Sequence, residues 1–311
     1  TISRLDAGEE DFMRVFVTGA TGFVGTAVVG ELLDAGHQVL GAARSDEGMK
    51  ALASRGVEAH RGDLTDPASF VSGAVACDAT VHLAFIHDFS RFAENIEIEQ
   101  RCVEAMLGAL EGSGKPFIAT SGTALLAAGK VATEDDPAAP QGRGLTETMV
   151  REAAARGVRT AVIRLPPITH EAGDGGFLPP LVDIARAKGV AAYVGDGANR
   201  WPAGNRADAA RLYRLALEKG EPGAAYHAIG DEGVPTRDIA TAIGKRLGLP
   251  TASLAPDQAA EHFGFLGMFA TLDIRGSSRL TQQRLGWRPT HAGLIEDIET
   301  APELTGRKLT A

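Results

Sequence analysis

The sequence has few of the residues that build metal sites, disulfides or surfaces for polyanions. It contains two cysteines, Cys77 and Cys102, whose spacing fits no metal site and which we interpret as reduced thiols of a cytoplasmic protein. Acidic residues outnumber basic ones by 40 to 31, so the chain lacks the positive balance that binds nucleic-acid phosphates. No apolar run approaches the roughly 20 residues that cross a bilayer, and no secretory signal is visible. These absences favour a small molecule as the partner, without nucleic acid, membrane or metal.

Short apolar runs alternate with helical segments through the first half of the chain. Apolar periodicity predicts strands at Met13–Thr18, Gln38–Ala43, Val57–His60, Ala79–Phe85 and Pro116–Ser121. The intervening segments predict helices at Gly22–Ala35, Asp46–Arg55, Asp66–Val75 and Phe92–Leu110. This alternation is typical of the α/β class and predicts a Rossmann-type, doubly wound parallel sheet.

The second half is less regular and predicts a smaller, mostly helical C-terminal lobe. Its predicted helices are Thr146–Arg156, Leu178–Lys188, Ala207–Lys219 and Thr236–Leu247, and its predicted strands are Val158–Leu165, Val190–Val194 and Ala224–Ile229. We predict a leader or disordered extension over residues 1–12, a Rossmann domain over 13–165, and a lobe over 166–311 interleaved with the last sheet strands.

The segment from Thr18 to Gly25 reads TGATGFVG, directly after the first strand and at the start of the first helix. Glycines in such a turn let the backbone approach a pyrophosphate, and the helix N-terminus offers free N–H groups to the anion. The placement between a strand and a helix favours a dinucleotide site over an unliganded turn. The predicted contacts are Gly19, Thr21, Gly22, Phe23, Val24 and Gly25.

The end of the second strand indicates which dinucleotide is bound. NAD-binding proteins place an acidic residue there for the ribose 2′-hydroxyl, whereas this chain has Arg44 and Ser45, which suit a 2′-phosphate. We therefore predict NADP(H); the alternative is a solvated surface arginine, and Asp46 would compete for Arg44. After the third strand, the Asp63 carboxylate and Leu64 are placed to meet the adenine, unless Asp63 caps a helix, for which Asp66 is better placed.

Six motifs follow one another along the chain: TGATGFVG, Gly62-Asp63-Leu64, Val81-His82-Leu83-Ala84, Thr120-Ser121-Gly122, Arg164-Leu165-Pro166-Pro167 and Leu285-Gly286-Trp287-Arg288-Pro289. In this order they resemble the NAD(P)-dependent epimerase/dehydratase family, the extended and atypical branch of the short-chain dehydrogenases. The resemblance covers nearly all of Met13–Leu304. It implies hydride transfer with a nicotinamide cofactor, with Ala84 and Phe85 beside the cofactor, Pro166, Pro167 and Ile168 against the nicotinamide, and a C-terminal substrate lobe.

The sequence departs from this family at the proton donor. Most members have a Ser or Thr after the fifth strand and a Tyr-x-x-x-Lys on the next helix, whose tyrosine donates a proton to the growing alkoxide. Ser121 is present with Thr123 beside it, but Arg143 and Glu147 stand where the tyrosine and lysine are expected, and no tyrosine occurs before Tyr193.

Three explanations compete for this departure. In the first, Ser121 or Thr123 polarises a carbonyl, and Arg143, Tyr193 or a bound water completes the proton transfer. In the second, Arg143 and Glu147 form a structural pair one helical turn apart. In the third, the protein binds NADP(H) without turnover and acts as a sensor.

Four residues of the second half are candidates for substrate binding. His170 follows the Pro-Pro segment, Trp201 matches the family pattern, and Gly204-Asn205 replaces a Val-His pair common in the family. Smaller residues at a pocket wall suit a bulky substrate; the alternative is drift in a loop. Tyr193 either borders this substrate or packs as a strand aromatic.

Taken together, these features predict an NADPH-dependent oxidoreductase that reduces a ketone, an aldehyde or a related C=X bond. The alternatives are a non-catalytic NADP(H) sensor and a sugar-nucleotide epimerase or dehydratase. The latter is disfavoured because its chemistry depends on the missing Tyr–Lys pair. A homodimer is the expected assembly if the chain associates.

Overall fold

The computed structural model describes residues 12–88 and 91–304, so residues 1–11 of the predicted leader lie outside the described residues. Its centre is a parallel sheet of seven strands, in the order β10-β6-β5-β4-β1-β2-β3. The bounds are β1 Arg14–Thr18, β2 Gln38–Ala43, β3 Glu58–Arg61, β4 Ala79–His82, β5 Pro116–Gly122, β6 Arg159–Leu165 and β10 Ala224–His227. The predicted α/β class and doubly wound sheet are confirmed.

Helices cover both faces of the sheet because its strands are apolar on both sides. One face carries α1 (Phe23–Asp34) and α7 (Arg206–Lys219), and α2 (Asp46–Ala53) buries Leu52 in the same cluster. The other face carries α3 (Pro67–Ala76), α4 (Phe92–Ala109) and α5 (Arg143–Glu152), the last continued by a 3₁₀ turn at Ala153–Arg156. The carboxyl ends of the strands are therefore left at one edge, where ligands bind in folds of this type.

The lobe contains more β-structure than the sequence predicts. Two small sheets, β11-β9-β7 and β12-β8, are surrounded by short helices. The strands are β7 Ile168–His170, β8 Ala191–Val194, β9 Arg200–Asn205, β11 Asp231–Pro235 and β12 Thr251–Leu254. The helices are α6 Leu178–Lys188, α8 Thr236–Leu247, α9 Ala259–Phe263, α10 Gly267–Ala270, α11 Arg279–Leu285 and α12 Leu294–Thr300, with 3₁₀ turns at Thr123–Leu125, Pro256–Gln258 and Gly264–Leu266.

Both cysteines are buried free thiols, as expected for Cys77 and Cys102. Burial raises the pKa of Cys102 to about 12, so this thiol stays protonated. None of the helices within residues 12–88 and 91–304 is long and apolar enough to cross a membrane.

Candidate nucleotide and substrate site

The glycine turn between β1 and α1 has the close backbone contacts that the motif predicts. Gly19 has a φ of +68°, and a Cβ there would lie 2.8 Å from the Ala84 nitrogen, where the chain leaves β4. A Cβ on Gly25 would lie 2.0 Å from the Gly19 carbonyl oxygen. Side chains at either position would therefore fill the turn, and the exit of β4 brings Ala84 to it; contact of Ala84 and Phe85 with a cofactor stays a prediction.

The N-terminus of α1 is open to an anion. Gly22 stands at the N-cap without a side chain to cap the helix, and the first turn carries no acidic residue. The amides of Phe23, Val24 and Gly25 begin the helix there, beside exposed Thr21. An uncapped helix N-terminus next to a glycine turn fits the pyrophosphate of a nicotinamide dinucleotide.

Arg206, at the start of α7, is a neighbour of this turn that sequence reasoning missed. Its guanidinium carbon lies 4.5 Å from the centre of the Phe23 ring, and Nη1 donates to the Phe23 carbonyl at 3.2 Å. Nη2 pairs with Glu171, just beyond β7. Arg206 therefore joins the glycine turn to the lobe, a contact between residues 183 positions apart that no local pattern reveals.

At the outer end of the site, Arg44 is exposed and has no ion-pair partner in the described part of the chain. The predicted competitor Asp46 pairs instead with Arg61 at the end of β3, and Arg61 Nη1 donates to the Arg44 carbonyl at 2.9 Å. Ser45 Oγ accepts from the Gly48 amide at 3.1 Å and so caps α2. Arg61 is a second cation at this edge that the sequence motifs do not single out.

Asp63 forms a local turn rather than capping a helix. Its Oδ1 accepts from the Thr65 amide and hydroxyl, both at 2.8 Å, and these bonds lower the pKa of the Asp63 carboxyl. Asp66 does occupy the N-cap of α3, but its side chain makes no capping bond. Leu64 beside it is buried in the α3–α4 face. An adenine contact by Asp63 or Leu64 stays a prediction.

Ser121 and Thr123 end β5 and begin the turn that follows it. Both are almost fully buried, and neither hydroxyl has a hydrogen-bond partner among residues 12–88 and 91–304. Side chains alternate along a strand, and Thr120 points to α7, where its Oγ1 lies 2.7 Å from the Tyr213 hydroxyl. Ser121 therefore faces the α4–α5 side, and Tyr213, on the opposite face, does not replace the missing tyrosine.

Arg143 and Glu147 do not pair with each other, so the predicted helix pair is wrong. Arg143 donates through Nε and Nη2 to the Glu99 carboxylate on α4, at 3.0 and 2.7 Å, and through Nη2 to the Thr120 carbonyl at 3.2 Å. Glu147 instead accepts from Arg164 on β6, with Nε at 3.0 Å. Each residue has a buried partner from another element, which outweighs the weak attraction of an exposed helical pair.

The Arg164 guanidinium is completely buried and binds the backbone of residues 133–136. It donates to the carbonyls of Thr133, Glu134 and Asp136, besides pairing with Glu147. The Glu134 side chain is also buried and accepts from the Thr281 amide and hydroxyl at 2.6 Å. Glu134 therefore belongs to the buried interior, although it begins a run of three acidic residues.

The lobe candidates are spread through the interior of the lobe. Tyr193 lies on β8 and packs against the lobe's apolar cluster, and buried Trp201 on β9 meets the Phe177 ring at 5.9 Å. His170 Nδ1 lies 3.0 Å from Asp297 on α12, and its Nε2 is buried without a partner among the described residues. Tyr193 makes no described contact with Ser121 or Arg143, so its strand-aromatic interpretation is the one its surroundings support.

Gly204 and Asn205 belong to strand β9 rather than to a loop, and both have roles in packing. A Cβ on Gly204 would lie 2.1 Å from the Ala228 carbonyl oxygen, so the strand cannot accept a larger residue without moving. The Asn205 side chain is buried and accepts from the Ala207 amide at 2.9 Å, which caps α7. The placement of these residues in a loop is therefore wrong, and their role in admitting a bulky substrate stays a prediction.

The Pro-Pro segment connects β6 to the lobe. Pro166 and Pro167 are buried, and the Pro167 carbonyl accepts from the Phe177 amide at 2.9 Å. The Ile168 side chain is buried in the lobe cluster. Ser121 on β5 pairs in register with Arg164 on β6, two residues before Pro166. The Pro-Pro segment therefore leaves the sheet at the same edge as Ser121.

Comparison with known proteins agrees with this geometry. The family model described as the NAD dependent epimerase/dehydratase family matches residues 15–229. The chain belongs to the NAD-dependent epimerase/dehydratase family. Members of the epimerase/dehydratase family are oxidoreductases that use a nicotinamide dinucleotide and small-molecule substrates.

Individual relatives of this epimerase/dehydratase family member differ widely in similarity. An uncharacterised protein of Schizosaccharomyces pombe is 47% identical over 289 residues, covering 92% of this chain and 98% of its own. A 2-alkyl-3-oxoalkanoate reductase of Stenotrophomonas maltophilia is 29% identical over 87% of each chain. The solved UDP-glucose 4-epimerase of Thermus thermophilus, in complex with NAD, superposes with a TM-score of 0.71 at 21% identity, over 93% of this chain and 97% of its own. At that identity the superposition bears on the fold alone.

Proposed function

We propose that the chain is an NADPH-dependent reductase of ketones, aldehydes or related C=X groups. The observation that carries this proposal is the pair of buried hydroxyls on Ser121 and Thr123, which have no partner among the described residues. A buried polar group left unpaired costs about 1–3 kcal/mol. Two such groups at the ligand-binding edge of the sheet are accounted for if a bound ligand supplies the acceptor.

The chemistry assigned to these residues follows from where charge develops. Bound NADPH would supply a hydride to the carbonyl carbon. The Ser121 and Thr123 hydroxyls donate hydrogen bonds to the carbonyl oxygen, which becomes negative as the hydride arrives. The oxygen then takes a proton from a water held by these hydroxyls, and the hydroxide that this leaves is protonated from bulk solvent. Arg143 is excluded as the acid because a guanidinium does not lose its proton in proteins.

The preference for NADP(H) over NAD(H) rests on the cations at the outer end of the site. Arg44 is exposed and unpaired in the described chain, while Arg61 holds its backbone and Ser45 begins α2 beside it. A cationic side chain suits a 2′-phosphate, and an acidic one suits a free ribose hydroxyl.

The cofactor assignment is tested by Arg44→Asp. Hydrogen bonds to charged groups are worth about 1.5–3 kcal/mol, so we expect NADPH binding to weaken about 10- to 100-fold relative to NADH. Dissociation constants for both cofactors measure this ratio. Arg55→Asp is a matched control because Arg55 is exposed beyond the far end of α2. An unchanged ratio in Arg44→Asp would remove Arg44 from the cofactor site.

The competing function is a non-catalytic NADP(H) sensor. It is favoured by the ion pairs that hold Arg143 and Glu147, since a guanidinium does not lose its proton in proteins and the Glu147 carboxylate is bound to Arg164. A panel of aldehydes, alkyl ketones and keto acids with NADPH separates the two functions through the absorbance of the reduced nicotinamide. Consumption of NADPH supports the reductase, and tight NADPH binding without consumption across the panel supports the sensor.

A further inference from the structure

The Arg143 guanidinium has one nitrogen, Nη1, that no residue in the described part of the chain uses. Nε and Nη2 donate to Glu99 and to the Thr120 carbonyl, whereas Nη1 donates to no group among residues 12–88 and 91–304. The side chain is 18% exposed, so part of it can meet a ligand although Nε and Nη2 are held. Because Nε and Nη2 form one edge of the planar guanidinium, Nη1 points away from Glu99.

The guanidinium is fixed in place before any ligand arrives. Glu99 is almost completely buried and binds it through two hydrogen bonds, and the Phe85 ring lies 4.3 Å from the guanidinium carbon. A planar group held by two hydrogen bonds and an aromatic face loses little freedom on binding. The direction of the free Nη1 donors is therefore set by the fold.

Arg143 also contacts the strand that carries Ser121. Its Nη2 contacts the carbonyl of Thr120, the residue before Ser121, and both Arg143 and Ser121 lie on the α4–α5 side of the sheet. One sheet edge thus offers two kinds of donor. The neutral hydroxyls suit a carbonyl oxygen, and the guanidinium N–H groups suit a carboxylate, with which they form charge-assisted hydrogen bonds.

We propose that Arg143 Nη1 binds a carboxylate of the substrate, so that the site selects keto acids whose carbonyl reaches Ser121 and Thr123. This inference rests on the proposed reductase function. Arg143 is then a substrate-binding residue in place of the proton donor usual at this position, and Glu99 is the residue that positions it.

The test compares 3-oxohexanoate with its methyl ester as substrates, with NADPH. For the wild-type protein we expect kcat/KM to be at least about 10-fold higher for the acid, since charged hydrogen bonds have effects of this size. The variant is Arg143→Gln/Glu99→Gln, because removing only one partner would leave the other charge buried and unpaired. We expect its acid-to-ester ratio to fall to about one.

The control is Arg156→Gln/Glu111→Gln, which removes a half-exposed ion pair. Arg156 ends the 3₁₀ turn that follows α5, and Glu111 lies just beyond the end of α4. Its acid-to-ester ratio should equal that of the wild type. Reduction of ketones by the wild type without preference for the acid would overturn the inference while the reductase function stands.

A binding measurement distinguishes failure of the proposed carboxylate site from failure of the proposed reductase function. Calorimetric titration of the NADPH-loaded protein with hexanoate and hexanamide, which lack a reducible ketone, reads the Arg143 contact without turnover. Tighter binding of hexanoate in the wild type but not in Arg143→Gln/Glu99→Gln supports the carboxylate site even if no ketone is reduced. Equal binding of the two compounds would overturn it.

Discussion

At the scale of single residues, the site combines charged side chains that are held in ion pairs with hydroxyls that have no hydrogen-bond partner among the described residues. The sequence shows that Arg143 and Glu147 replace the tyrosine and lysine, and it locates Ser121 and Thr123. The sequence does not show that Arg143 pairs with Glu99, or that Glu147 pairs with Arg164. These partners lie 44 and 17 positions away and on other elements. The glycine turn was predictable because its contacts are mostly local.

The unpaired hydroxyls lead to opposite expectations for stability and activity. Thr123→Val removes a buried hydroxyl that bonds to no described residue, together with the cost of leaving it unpaired, so the free energy of unfolding should stay the same or rise by up to about 3 kcal/mol. Turnover should fall about 100-fold or more if the hydroxyl stabilises the developing charge. Urea unfolding and NADPH consumption measure the two quantities.

Thr160→Val is the matched control for Thr123→Val. The Thr160 hydroxyl is equally buried and unpaired in the described chain, but it lies near the start of β6, at the opposite end of the sheet. Its removal should likewise leave the free energy of unfolding unchanged or higher, and it should leave turnover unchanged. A fall in the free energy of unfolding in Thr123→Val that does not occur in Thr160→Val would point to a structural role for the Thr123 hydroxyl instead.

At the scale of elements, the main sheet was predictable and the small sheets of the lobe were not. The strands of the main sheet are apolar runs separated by helices, and the predicted and observed bounds of β2 agree, both being Gln38–Ala43. The β9 strand contains Pro202 and Gly204, which disfavour strands, and it is held by pairing with β7 and β11. Only the tertiary structure supplies those partners.

The close contact of β9 predicts the effect of adding one methyl group. Gly204→Ala places a Cβ against the Ala228 carbonyl, and we expect a loss of about 1–3 kcal/mol in the free energy of unfolding. Gly30→Ala is the comparison because a Cβ there meets nothing within 4 Å on helix α1, and alanine favours the helix by about 1 kcal/mol. Urea midpoints should therefore move in opposite directions, and equal midpoints would argue against the tight contact at Gly204.

The buried pair of Arg164 and Glu147 ties α5 to β6 and should be sensitive to the loss of one partner. Arg164→Met leaves the buried Glu147 carboxylate with only the more distant Arg151, whose Nη1 lies 3.9 Å away, and we expect a loss of about 3–5 kcal/mol in the free energy of unfolding. Arg164→Met/Glu147→Leu removes both charges and should recover a large part of the loss. Denaturant titrations of both variants measure this, and a double variant no more stable than the single would contradict it.

At the scale of the whole molecule, two buried histidines make stability depend on pH. Burial lowers the pKa of His82 to about 3, and burial together with Arg164 lowers that of His227 to about 4. Near pH 6.5 and below, the unfolded chain binds protons at these residues while the folded protein does not. The free energy of unfolding is therefore not reduced by these histidines above pH 6.5, and it falls as the pH drops towards 4.

We expect the free energy of unfolding to fall by roughly 2 kcal/mol for each of these histidines between pH 6.5 and 4.5. Urea unfolding at several pH values in this window measures the slope. His82→Asn retains a partner for the Thr18 hydroxyl, which lies 2.8 Å from His82 Nδ1, and should reduce the slope by about half. The same slope in His82→Asn and the wild type would mean that His82 is not responsible.

The two tryptophans of the chain lie in different parts of the molecule. Trp287 is buried against the sheet domain, where its indole N–H donates to the Asp208 carbonyl at 2.9 Å, and Trp201 is buried in the lobe cluster. Each tryptophan is therefore an intrinsic fluorophore for one part. The emission of Trp287→Phe reports on the lobe and that of Trp201→Phe on the sheet domain, so the order in which the two parts lose their structure can be observed without any added label.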